Sequence, residues 1–329
     1  MRRILFLSGF LSMVLLIYSC KFNSETLKPR ISGLSGEILL VIPQYKWESP
    51  LGDTLRKFFS YDQPALPQPE PVFDIIQVSP NQFSSIFTSH RNIINIKIDS
   101  KYTKAGISMA NDQWAVPQLV IDVTAPNDSL CINLLIENAD LIIDKINEAE
   151  RQRVLLSYKK YQETDISRKL KKKYHLGLFI PKGYSLDVDS SDFVWISNET
   201  SLVSQGLIIY FYPYNDRNVF LPDNLIRKRN EVLKNYVKGP VENSWMTTED
   251  LLTPVYSEFE KDSLYFAKLE GLWKLQNGFM GGPFVSISTV DEKRERVVTL
   301  EGYVYAPKNK KREFLRQVES IIYSVKLLD

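Results

Sequence analysis

Two histidines and two cysteines in 329 residues leave little for the commonest catalytic and metal-binding arrangements. His90 and His175 stand far apart, each beside basic residues, so a histidine-based zinc site or a Ser-His-Asp triad is poorly supplied. No GxSxG, HExxH, P-loop or Rossmann glycine pattern occurs. Gly278-Phe279-Met280-Gly281-Gly282-Pro283 is glycine-dense, but it lacks the following lysine and helix that would cradle phosphate. It reads as a tight or bulged strand entry. No catalytic set, no metal site and no cofactor is therefore expected. Charge of one sign is also scarce: the formal net charge is +2, and it falls to zero if Arg2 and Arg3 are removed with a leader. A neutral chain has no general attraction for nucleic acid, and none is expected as a partner.

The cysteines bear on location. Arg2 and Arg3 form a positive start, Ile4 to Ile17 an apolar stretch too short to span a bilayer, and Ser19 a small residue before a cleavage point. Ile17-Tyr18-Ser19-Cys20 resembles the bacterial lipobox, with Tyr18 bulkier than the pattern favours. The resemblance implies that residues 1–19 are a lipoprotein signal peptide and that Cys20 becomes the lipidated N-terminus. A soluble secreted chain is the alternative. The implied location is the bacterial cell envelope, anchored by lipid. Lys21-Phe22-Asn23-Ser24-Glu25 has no acidic run, which favours an outer-membrane position facing the periplasm. With Cys20 modified, Cys131 is the single thiol left, so no disulfide forms within the chain and the fold rests on burial. Cys131 sits among Leu130, Ile132, Leu134 and Leu135 and reads as a small buried hydrophobe.

About 310 residues remain after cleavage, with 44% hydrophobic and 24% charged residues over the whole chain, a globular composition of two domains or one elaborate one. Residues 20–36 carry Pro29, Gly33 and Gly36 and read as a tether. Residues 37–127 alternate strand, helix, strand, helix, strand, the signature of an α/β domain. The strands are Glu37 to Ile42, Val72 to Val78 and Ile93 to Ile98; the helices follow Ser49-Pro50 and cover Asn81 to His90. Weaker strands are expected at Ile107 to Ala110 and Gln118 to Val123. Residues 128–174 read as a long helical connector reaching about Leu170, with a basic end at Arg168, Lys169, Lys171, Lys172 and Lys173.

Residues 175–329 read as an α+β domain, mainly an antiparallel sheet with covering helices. Its strands are expected at Leu176 to Ile180, Tyr184 to Val188, Phe193 to Ser197, Gly206 to Tyr212, Leu264 to Leu275, Pro283 to Val290 and Arg296 to Ala306. Helices are expected from Pro222 to about Val237 and from Lys308 to Ser324.

Several stretches look like one family: Trp47-Glu48 with Gly52-Asp53-Thr54-Leu55-Arg56, Leu66-Pro67-Gln68-Pro69-Glu70-Pro71-Val72-Phe73, His90-Arg91-Asn92-Ile93-Ile94, and Gly281-Gly282-Pro283-Phe284 with Glu301-Gly302-Tyr303-Val304-Tyr305-Ala306-Pro307. They resemble bacterial envelope lipoproteins described as a domain of unknown function, a resemblance that implies no activity or site. Phe179-Ile180-Pro181-Lys182-Gly183-Tyr184 and the last helix look like the layered α/β fold of photosystem II extrinsic subunits.

The expected binding surface comprises Trp47, Glu48, Asp53 and Glu70, beside the proline-rich loop, and Lys171, Lys172 and Lys173. The three carboxylates suit a saccharide-processing cleft, although helix-capping and surface roles explain them more simply. The aromatic residues Tyr210, Phe211, Tyr212, Tyr214 and Phe220 divide between core and surface on an alternating strand. The leading expectation is a lipid-anchored, non-enzymatic binding or scaffold protein with an envelope protein or glycan as partner. The alternative is a carboxylate-dependent hydrolase acting on glycan or peptidoglycan.

Overall fold

A computed structural model describes residues 27–329; the expected signal peptide and Cys20 lie outside the described residues. The first sheet has five strands: β1 (Glu37–Val41), β2 (Asp74–Val78), β3 (Asn92–Ile98), β4 (Gly106–Asn111) and β5 (Leu119–Ala125). Their order is β2-β1-β3-β5-β4, parallel except for β4 against β5. β1 is apolar from Ile38 onward, as suits a strand with both faces covered. Ile38 and Leu40 face the helices, whereas Leu39 and Val41 pack near Phe83, Phe87 and Trp114. α1 (Pro50–Phe59) starts as its sequence suggests, with Pro50 in the first turn and the Ser49 hydroxyl accepting from the Leu51 amide at 3.3 Å. The helix expected over Asn81 to His90 shrinks to one turn, Ser85–Thr88.

The long helix, α2, spans Asp128–Tyr158. It is more than a connector. Cys131, Leu135, Ile142, Ile143 and Ile146 are buried with α1 and β5 in the first core. No glycine or proline ends it at Tyr158. The chain is drawn away instead by pairing with a later segment, in which Glu163 donates to the Ile180 carbonyl and Lys182 to that of Tyr161. A short helix, α3 (Thr164–Lys169), and a wide π-type turn to Tyr174 complete the passage.

The second sheet is antiparallel and runs β10-β12-β13-β14-β9-β8-β7. Its members are β7 (Ser185–Asp189), β8 (Phe193–Glu199), β9 (Ser204–Pro213), β10 (Trp245–Thr248), β12 (Leu264–Gln276), β13 (Gly281–Asp291) and β14 (Arg296–Tyr305). The expected strand at Leu176 to Ile180 is only the two-residue β6 (Leu176–Gly177), paired with β15 (Lys326–Leu327). Three strands lie outside the expected set: β15, and β10 and β11 (Val255–Lys261), the last two of which pair with the long β12 along one edge. α4 (Pro222–Tyr236) covers one face of the sheet and α5 (Arg312–Ile322) the other. Within the α4 face, the fully buried Arg229 and Glu301 form a two-pronged ion pair at 2.7 Å. This satisfies both charges where either alone would be costly.

α5 joins the two sheets. Both Glu70 carboxylate oxygens accept its first amides, Lys311 N at 2.7 Å and Arg312 N at 3.1 Å. Arg312 also donates to the Pro71 carbonyl and to Asp74, and Arg316 to the Val72 carbonyl. The part of the tether beyond Pro29 is held rather than free. Ile31 and Ser32 donate backbone bonds to Val116 and Ser89, Val116 donates to Pro29, and Arg91 donates to the Gly33 carbonyl. Beneath it lies Glu150, fully buried and clasped by Arg91, Asn92 and Arg153 at 2.7 to 2.9 Å.

Candidate functional site

A cleft of about 790 Å³ opens where α2, the Tyr61 to Pro64 loop, β11, β12 and α5 meet. β12 presents Lys268 and Glu270 on one face because residues two apart in a strand share a side. α5 brings Glu319 and Tyr323 to them, four residues apart on one helical face. Lys268 Nζ lies 2.9 Å from Glu319 and 3.2 Å from Glu270, with side chains only 14 to 17% exposed. Burial works against the Lys268 charge, but Glu319 and Glu270 outweigh it and hold the ammonium above the ordinary lysine range. Burial opposes the Glu319 charge in the same way; Lys268 and then Arg151 overcome it and hold this carboxyl below its usual range. The pair therefore stays ionised at neutral pH, which suits it to electrostatic recognition and removes Lys268 as a nucleophile.

The Tyr323 ring stacks on Phe259 at 5.0 Å between centroids, and Phe259 on Phe266 at 5.1 Å. The Arg151 guanidinium, from α2, stands 4.5 Å from the Tyr323 ring centroid. Burial pushes the Tyr323 phenol up to about 12. On the facing wall, burial raises the Asp144 carboxyl, with Arg151 countering and Asp140 reinforcing the rise. Tyr61 is raised by burial and then by the nearby charges of Glu270 and Asp140. On this wall Asp140, Asp144 and Glu148 stand with Lys145 and Arg151, and Lys145 is taken up by Glu148 at 2.8 Å. Among the described residues, no three His, Cys, Asp or Glu side chains converge to hold a metal ion.

The expected surface residues lie elsewhere and do not form one site. Trp47 follows the end of β1 and stacks under Arg56 at 4.3 Å, and Arg56 also bonds Asp53 at 2.6 Å. Glu48 accepts from Gln44 at 2.6 Å. Glu70, near them in sequence, is buried at the start of α5 and has both oxygens committed to its amides. A carboxylate so engaged is a cap in trans rather than half of a saccharide-cleaving pair. Lys173 is held on Asp189 at 2.6 Å, as is Lys169 at 2.8 Å, while Lys171 and Lys172 are exposed. Cys131 is fully buried and its thiol is pushed up to about 11 by burial and then Asp128, so it is inert.

Lys268, Glu270, Glu319 and Tyr323 escaped the sequence reading. Their signal was a pair of opposite charges two apart in an otherwise apolar strand, Phe266-Ala267-Lys268-Leu269-Glu270, and a glutamate on the inner side of an amphipathic helix.

The chain is similar to two domains of unknown function. Residues 32–159 match the family model described as Domain of unknown function (DUF8532), and residues 163–324 match Domain of unknown function (DUF4837). The first match takes in the whole of α2 and begins within the segment expected to be a tether. The cleft lies between the two matches. No curated protein matches the chain. Among solved structures, the Ran-binding protein Mog1p of Saccharomyces cerevisiae is 8% identical with a TM-score of 0.33, over 47% of this chain and 91% of that one. A point mutant of protein Mog1 gives 8% identity and a TM-score of 0.31, over 47% and 92%.

Proposed function

We propose that this chain is a lipid-anchored protein of the bacterial cell envelope that binds another envelope component and scaffolds it near the membrane. The anchor half of the reading rests on Arg2, Arg3, the apolar stretch to Ile17 and Cys20. The binding half rests on one observation: an open cleft of about 790 Å³ between two domains, walled by charged side chains and an aromatic stack. Its volume falls within the ~300–1,000 Å³ usual for ligand sites. Its Lys268–Glu319 ion pair, with Glu270 beside it, is arranged to recognise charge, and its neighbours Tyr61 and Tyr323 offer flat apolar surface with a polar tip. An outer-membrane position facing the periplasm agrees with the residues after Cys20.

Fractionation tests the anchor. The natural chain is expected in the membrane fraction and Cys20→Ala in the soluble one; a variant that still fractionates wholly with membranes refutes the lipoprotein reading. A photocrosslinking residue at Glu148, which lines the cleft, tests binding in cells. A discrete adduct from Glu148, absent when the crosslinker sits at the exposed Lys172, supports the reading, and equal labelling from both positions overturns it.

A further inference from the structure

We propose that the cleft takes an extended peptide segment, basic at alternate positions, which adds as a strand to the free edge of β11. This rests on the reading of the cleft as a binding site and names its occupant. The edge carries the argument. β11 and β12 form a hairpin closed by Asp262 and Ser263, both with positive φ, 52° and 63°, as a two-residue type I′ turn requires. The closing pair Lys261 and Leu264 is then hydrogen-bonded, and so are Phe259 with Phe266, Ser257 with Lys268 and Val255 with Glu270. Tyr256, Glu258 and Glu260 therefore aim their N–H and C=O groups away from β12. None of these groups finds a backbone or side-chain partner among the described residues, because β11 pairs with β12 alone.

The cleft reaches that edge. It is bordered by six consecutive residues, Ser257 to Asp262, whereas one face of a strand would contribute every second residue. Unpaired backbone donors and acceptors beside an open groove are the requirement for strand addition, in which the main chain supplies affinity and side-chain pockets supply selectivity. The charge sets the occupant. Asp140 and Asp144 stand one helical turn apart on the facing wall of α2, and neither has an ion-pair partner among the described residues, Arg151 on the same wall lying over the Tyr323 ring instead. A strand laid along β11 presents alternate side chains toward that wall, so lysine or arginine at every second position meets Asp140 and Asp144. Seven residues of β11 at ~3.4 Å each span roughly 24 Å, room for a segment of five to seven residues.

The test uses the detergent-solubilised full chain and a displayed library of ten-residue peptides. Selection is expected to enrich lysine or arginine at alternate positions. Glu258→Pro removes an outward N–H while leaving every backbone bond to β12, and an edge strand tolerates it. It is expected to weaken a selected peptide about tenfold, whereas Glu258→Gln, which keeps the amide, changes binding less than about threefold. N-methylation of the peptide at alternate residues checks the same bonds from the other side and is also expected to cost about tenfold. Unselected sequences, peptide binding indifferent to both changes, or self-association of the chain through β11 would each overturn the inference. If crosslinking from Glu148 still yields its discrete adduct in cells while no peptide is selected, strand addition fails and the wider binding reading survives.

Discussion

Replacing Glu70 by alanine should weaken the junction of the two domains far more than its single side chain suggests. The carboxylate is 4% exposed and its oxygens accept the Lys311 and Arg312 amides, at the end of α5 where no side chain of the helix itself provides a cap. Loss of a helix cap costs ~0.5–2 kcal/mol, and a buried amide left without a partner adds ~1–3 kcal/mol. Water entering the space left by the side chain recovers part of this, so the expected destabilisation is about 3 kcal/mol. Glu70→Gln keeps one acceptor and turns an amino group toward the other amide, for about half that cost. Asp53→Ala removes an exposed partner of Arg56 and should stay within about 0.5 kcal/mol. The assay is urea unfolding followed by circular dichroism and tryptophan fluorescence. Trp47 and Trp114 report on the first domain, and Trp195, Trp245 and Trp273 on the second. The natural chain should unfold in one transition and Glu70→Ala in two, the second domain first, because α5 belongs to that core. Equal stability of Glu70→Ala and Asp53→Ala would refute the capping argument and return Glu70 to the surface role suggested by its sequence.

Two further outcomes follow from buried charge. Lys268→Met leaves Glu319 buried without its ammonium, so it should cost about 2–3 kcal/mol at pH 7 and lose less in acid, where the stranded carboxyl is neutralised; a loss independent of pH in denaturant titrations would count against the ion pair. His90 is buried with Nε2 unbonded and 3.5 Å from Glu37, and burial, opposed by its bond to Asn92 and by Glu37, holds its pKa below the ordinary value. The folded state thus binds fewer protons than the unfolded one. The stabilisation is full above ~6.5 and is lost as the pH falls through that value toward the folded pKa. Thermal midpoints of the natural chain should fall between pH 7.5 and 5.5 more steeply than those of His90→Gln, and parallel slopes would remove His90 from the account.

The fold was legible where one element carries its own pattern. The apolar run of β1, the Ser49-Pro50 start of α1, the alternation of β12 to β14 and the amphipathic α5 all lie close to their expected places. What failed depended on contacts between distant residues. α2 stops at Tyr158 because the next segment pairs with Ile180 and Tyr161 meets Lys182, and nothing local marks that end. β11 was invisible because an edge strand beside a groove buries too little to alternate cleanly, and its Asp262-Ser263 turn lacks glycine. Proximity in sequence misled in the case of Glu70, which joined Glu48 and Asp53 on paper but lies against a helix 241 residues away.

That span also measures time. At roughly 5–20 residues per second a ribosome needs on the order of 10 to 50 s to travel from Glu70 to Lys311. The first sheet, α1 and α2 are complete long before then, with the Glu70 carboxylate facing water and one wall of the cleft missing. Any chain truncated ahead of α5 lacks the helix that closes this seam.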